Sequence, residues 1–214
     1  MNLPNKLTLF RIILVPVMVI VSFFDIPGNF LGLGISTTMW IMELIFIVAS
    51  ITDKLDGYLA RKNNQVTNFG KFLDPIADKI LVVAAMILFV EMGRLPAWIP
   101  IIVIFREFAV SGYRLIAVQN SGKVIAANVW GKLKTVTQMI AIILMFLTTH
   151  PYFAFVLRAK TEQEAMVNSA LTYMSTGDFI INILASVFMT ISVIATIFSG
   201  YEYLKGGKDL LKDC

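Results

Sequence analysis

Residues 53–78 read DKLDGYLARKNNQVTNFGKFLDPIAD, and this stretch decides how the chain folds. Asp53 and Asp56 are three apart, and Asp74 and Asp78 are four apart, so each pair shares one face of a helix. Between the pairs, Arg61-Lys62-Asn63-Asn64-Gln65 and Gly70 read as a hairpin turn. Two helices joined in this way lie antiparallel, and their acidic faces can converge. Upstream and downstream both helices run into apolar sequence. Carboxylates are costly at membrane depth, so four of them at the edge of apolar segments indicate a site.

Working outward, the apolar character extends over the whole chain. Of 214 residues, 57% are hydrophobic and only 15% are charged, and the mean hydropathy is +0.78. A soluble domain carries about 25% charge. The expected fold is therefore all-α, that of a polytopic membrane protein. At roughly 20 residues per span the length allows about six transmembrane helices and no separate soluble domain, so 1–214 reads as a single transmembrane domain. Runs and breakers place the segments at 8–24, 36–61, 73–92, 96–118, 130–149 and 178–204. Ile12 to Phe24 has no small-residue cleavage site after it and reads as a retained first span. The more polar 158–173 reads as a short external helix or loop.

Loop charge sets the orientation. Six spans put both termini on one side, with Lys6, Arg11, Arg61, Lys62, Lys71, Arg114, Lys123, Lys132, Lys134, Lys205, Lys208 and Lys212. The other side holds Arg94, Arg158 and Lys160. This imbalance places the termini, the acid-rich loop and a site cavity on the cytoplasmic side of a cell membrane. The basic ring also suits a leaflet rich in anionic lipid. Cys214 is the one cysteine, so no intramolecular disulfide is possible, and the one histidine, His150, cannot build a multi-histidine zinc site.

The chemistry of the acids follows from repulsion. Four carboxylates meeting at one point need cations between them, and hard oxygen ligands of this kind suit Mg²⁺ or Mn²⁺ held together with substrate phosphates. Small residues at Gly57 and Ala60 let backbone or substrate approach closely. Asp53 lies about eight residues, roughly 12 Å, from the cytoplasmic end of its segment. That is headgroup depth, where a lipid phosphate lies, whereas transporters tend to hold their ions near the midplane. A divalent-cation carrier is the competing reading, and it leaves Gly57, Ala60, Arg61 and Gly70 unexplained.

Asp53, Asp56, Gly57, Ala60, Arg61, Gly70, Asp74 and Asp78 together form the pattern D-x2-D-G-x2-A-R-x8-G-x3-D-x3-D, which resembles the signature of the CDP-alcohol phosphatidyltransferase family. The resemblance implies six transmembrane helices, a homodimer, a site for two divalent ions and a CDP-linked lipid donor such as CDP-diacylglycerol. It implies that Asp53, Asp56 and Asp74 hold metal and that Asp78 touches metal or acts as the general base. It further implies that Asp53, Asp56, Gly57, Ala60, Arg61 and Gly70 bind the cytidine diphosphate donor. No nucleic acid is expected as a partner.

The stretches from Asn2 to Arg11, from Arg106 to Arg114 and from Val124 to Gln138 resemble the bacterial branch of that family whose acceptor is sn-glycerol 3-phosphate. Residue chemistry points the same way, because this dianion needs cations beyond the metals. Arg106, Arg114, Lys132 and Lys134 sit at or near the cytoplasmic ends of neighbouring segments, and Thr8 and Arg11 could add contacts from the first. Glu107, beside Arg106, could orient a basic residue. Inositol phosphate, serine and phosphatidylglycerol stay open as alternative acceptors. Glu43, within the second span, has no functional account from sequence.

Overall fold

The computed structural model describes residues 3–24, 26, 28, 35–62, 68–121, 129–153 and 176–206. Every element among them is an α-helix: α1 (Leu3–Ser22), α2 (Thr37–Lys62), α3 (Asn68–Glu91), α4 (Trp98–Ser121), α5 (Val129–Phe146) and α6 (Thr176–Gly206). The helices follow the expected apolar segments, but α1 and α3 begin about five residues early. Their first turns carry Asn5 and Lys6, or Asn68 and Lys71, which give no apolar signal yet continue the helix. The expected turn at 63–67 and the expected outer helix or loop at 158–173 lie outside the described residues.

Local chemistry sets the ends. Ser36 caps α2, its Oγ accepting from the Met39 N–H at 3.4 Å. Thr38 ties the preceding connection, donating to the Phe24 carbonyl at 2.7 Å and accepting from the Ile26 N–H at 3.0 Å. At the end of α3 the Gly93 N–H donates to the Val90 carbonyl and the Arg94 N–H to the Phe89 carbonyl. This paired closure needs a left-handed residue, and Gly93 supplies it with φ +68°. Within the helices Ser50, Thr137, Thr190 and Thr196 donate to carbonyls four residues back, so these hydroxyls need no water.

Packing is uneven. α5 lies closely along α6, α1 packs on both α2 and α3, and α4 leans on α6 with only light contact to α3. Phe46, Phe89 and Phe146 meet in the core, with Phe89 edge-on to Phe146 at 4.7 Å. Met18, Met42, Met86 and Met145 fill the space around them. Large apolar side chains, among them Ile13, Ile101, Phe105, Phe108 and Ile197, are exposed on the outside of the bundle. Val129–Phe146 and Thr176–Tyr203 are long and apolar enough to cross a membrane, by length and composition.

The end of the bundle away from the aspartates is closed by a polar knot. Arg94 donates to the Thr148 carbonyl at 2.6 Å, and the Tyr152 N–H donates to the Arg94 carbonyl at 2.7 Å. Asn182 of α6 donates to the His150 and Pro151 carbonyls at 3.3 and 3.2 Å. Phe153 takes φ +50°, its N–H held by the Ser186 hydroxyl at 3.0 Å. Partial burial, helped by the nearby Arg94 charge, holds the His150 imidazole below its ordinary pKa, with Asp178 opposing. Burial likewise lowers the Arg94 guanidinium.

Candidate active site

The helix ends opposite the knot carry the aspartates. Asp53 and Asp56 lie in the last third of α2, and Asp74 and Asp78 lie in the first half of α3. The side chains of Asp56, Gly57, Ala60, Arg61, Gly70, Asp74, Asp78 and Arg114 lie outside the described residues. Asp53 is described, and its carboxylate meets Arg11 of α1 at 2.5 Å. Arg11 is wholly buried, while Asp53 keeps 39% of its side chain exposed. A second cation can therefore reach the free face of that carboxylate, and its hard oxygen donors fit a divalent ion. Thr8, one turn before Arg11 on α1, is also buried.

Beside this, α3, α4 and α5 enclose a cavity of about 450 Å³. Lys79 enters from α3, Arg106, Glu107 and Ser111 from α4, and Lys134, Thr135 and Gln138 from α5. Glu107 sits among the cations. Its Oε1 accepts from Arg106 Nη1 at 3.0 Å and from Lys134 Nζ, and Lys79 Nζ lies 3.7 Å from its Oε2. Lys79 also donates to the Ser111 hydroxyl. Arg106 is anchored from α6, where its Nη2 donates to the Ser199 hydroxyl and its guanidinium lies over the Tyr203 ring, 5.8 Å from the centroid. Its Nε is buried and finds no acceptor among the described residues. Gln138 closes the inner wall, its amide 3.2 Å from Met86 Sδ.

Among the described residues, three cations against one carboxylate leave a positive excess in a partly enclosed space. Such a space suits an anion, with the Arg fork and the Lys point charges matched to phosphate oxygens. Of the residues expected to hold an acceptor phosphate, the fold brings Arg106 and Lys134 together here. Arg11 lies against Asp53 instead, and neither it nor Thr8 lines the cavity. Lys132 is exposed and does not line it either. Lys79, Ser111, Thr135 and Gln138 line the cavity without being expected there: the sequence offers Lys79 only as an ion-pair partner for the aspartates and the other three only as members of the resembling stretches. A signal was present for two of them: Ser111 follows Glu107, and Gln138 follows Lys134, by one helical turn, so each polar pair marks a face.

Comparison with known proteins places the chain. The family model described as CDP-alcohol phosphatidyltransferase matches residues 1–198. The chain is 48% identical over 154 residues to the CDP-diacylglycerol–glycerol-3-phosphate 3-phosphatidyltransferase of Bacillus subtilis (strain 168), covering 71% of this chain and 79% of that one. It is 46% identical over 145 residues to the protein of the same name from Haemophilus influenzae, covering 66% and 73%. The Rickettsia bellii protein of that name is 34% identical over 210 residues, covering 97% of this chain and 96% of its own. A match across almost the full length, with all eight signature positions in place, makes this chain a member of the CDP-alcohol phosphatidyltransferase family.

Proposed function

We propose that this chain transfers the phosphatidyl group of CDP-diacylglycerol to sn-glycerol 3-phosphate, yielding phosphatidylglycerophosphate and CMP in anionic phospholipid synthesis. The observation that carries the choice of acceptor is the cavity itself. Lys79, Arg106 and Lys134 surround one space with a single carboxylate among the described residues, which suits a dianionic phosphate monoester better than a neutral alcohol. The names of the relatives agree with that choice.

In this reading Arg106 and Lys134 hold the acceptor phosphate, and the hydroxyl at the far end of the glycerol points toward the aspartates. Asp78 takes the hydroxyl proton. The freed oxygen attacks the phosphorus next to diacylglycerol in line, a new P–O bond forms, and the P–O bond to CMP breaks. Asp53, Asp56, Asp74 and Asp78 are the residues that would hold two divalent ions, Mg²⁺ or Mn²⁺, which when bound neutralise the pyrophosphate charge and stabilise the leaving phosphate. Gly57, Ala60, Arg61 and Gly70 line the cytidine diphosphate side. Arg11 holds the Asp53 carboxylate, and Lys132, exposed on α5, adds positive charge near the cavity.

The setting is a bacterial cell membrane crossed six times by a single domain, with both termini cytoplasmic, in a homodimer. Helices of 18–31 residues support the spans. At 1.5 Å per residue even the shortest is about 27 Å long, close to the roughly 30 Å hydrocarbon thickness. The exposed apolar residues on the outside of α1, α4 and α6 suit lipid contact.

The test is direct. Purified protein is given CDP-diacylglycerol, Mg²⁺ or Mn²⁺, and in turn labelled glycerol 3-phosphate, inositol phosphate, serine and phosphatidylglycerol, with CMP and labelled lipid measured. Turnover with glycerol 3-phosphate is expected. Turnover with inositol phosphate but not glycerol 3-phosphate would overturn the reading.

A further inference from the structure

Among the described residues, Glu107 is where three helices meet electrostatically. Its own α4 contributes Arg106 at 3.0 Å, α5 contributes Lys134, and α3 contributes Lys79 at 3.7 Å. Lys134 is only 5% exposed. An ammonium so far from water stays charged only beside an anion. Three cations around one small space also repel one another, and nothing else among the described cavity-lining residues carries a negative charge. Among the described cavity-lining residues, the carboxylate cancels one of the three charges and leaves two, which matches a phosphate monoester dianion.

We infer that Glu107 is a built-in counter-anion: a positioning residue that keeps Lys134, Arg106 and Lys79 gathered before any phosphate arrives. An incoming phosphate then meets a formed pocket, and its oxygens share the same donors while the cations stay where they are. Ser111 supports this from one turn along α4 by accepting from Lys79, and Ser199 and Tyr203 hold Arg106 from α6. The inference rests on the reading of this cavity as the acceptor-phosphate site, and it adds that the site brings its own placeholder.

Glu107→Gln tests it, because the amide keeps the shape and removes the charge. Thermal unfolding of the purified protein is followed while inorganic phosphate is titrated against chloride at matched ionic strength. Without phosphate the variant should melt below the parent. Phosphate should widen that gap, because the parent's gathered cations bind it more tightly than the variant's, and chloride should not. Equal phosphate-dependent rises in parent and variant would overturn the inference. In turnover, KM for glycerol 3-phosphate should rise about tenfold in the variant, the scale of one charged partner. KM for CDP-diacylglycerol and kcat should move little, and Glu107→Asp should restore most of the loss. A parent that never uses glycerol 3-phosphate, with the phosphate-dependent melting difference intact, would remove the acceptor assignment and leave Glu107's role standing. If Glu107→Gln does not fold, the double variant Glu107→Gln with Lys134→Met should fold, because the buried ammonium that faced the lost charge is removed with it. A double variant no more stable than the single one would overturn the inference.

Discussion

Replacing Lys134 by methionine removes one ammonium from the cavity and keeps an unbranched chain of similar reach. At an effective dielectric near 20, two unit charges about 4 Å apart attract by about 4 kcal/mol. Desolvation of the ammonium and of the phosphate cancels part of this, and Arg106 and Lys79 remain. The net loss should fall at about 1.5–3 kcal/mol, the range of a hydrogen bond to a charged group. KM for glycerol 3-phosphate should then rise about 10- to 150-fold. Stability should suffer less than when a buried ion pair is broken outright, because Glu107 keeps Arg106 at 3.0 Å and Lys79 at 3.7 Å. The assay is initial CMP release in mixed micelles, with each substrate varied at saturating levels of the other. An acceptor KM within twofold of the parent, or an equal rise in the donor KM, would refute the assignment of Lys134 to the acceptor phosphate.

Three other expectations can be checked independently. Asp78→Asn should lower CMP release by about 10²–10⁴-fold, the range of a general base, with the melting temperature held; full activity would remove Asp78 as the base. Gly93→Ala should destabilise the protein by about 1 kcal/mol through backbone strain alone, since Gly93 has φ +68° and an added methyl group would meet nothing within 4 Å. A loss much larger than that in denaturant unfolding would point to an unseen contact. His150 has a folded pKa below its ordinary 6.5. As pH falls, the unfolded chain binds the proton first, so stability is fully present above about 6.5 and declines below it. His150→Gln should flatten that acid slope, and an unchanged slope would mean that another group carries it.

Much of this molecule is legible in its sequence because the signals are local. Gly93 and Pro96 mark the turn between α3 and α4, and a fixed spacing of aspartates and small residues marks the family. The partners of the cations are not legible, because they depend on how helices rotate against one another. Arg11 sits in a basic row with Lys6, and nothing in that row says it will turn inward to Asp53. It does so because α1 packs against both α2 and α3. Lys79 reads as a neighbour of Asp78, yet the packing of α3 beside α4 carries its ammonium to Ser111 and Glu107. Ser199 lies in the most apolar stretch of α6 and becomes an anchor for Arg106 only through the α4–α6 contact. The outer knot is equally hidden, since Asn182 caps carbonyls more than thirty residues earlier.

That knot has a mechanical consequence. The bonds of Arg94, Tyr152, Asn182 and Phe153 clamp the bundle at one extremity, so the helices behave as rods sharing a fixed pivot. Ser199 stands about 25 Å along α6 from Asn182. A swing of about 5° at the pivot shifts that point by about 2 Å, enough to admit or release a phosphate. Small changes in angle are thus magnified at the end that carries the aspartates and damped at the end that the knot holds.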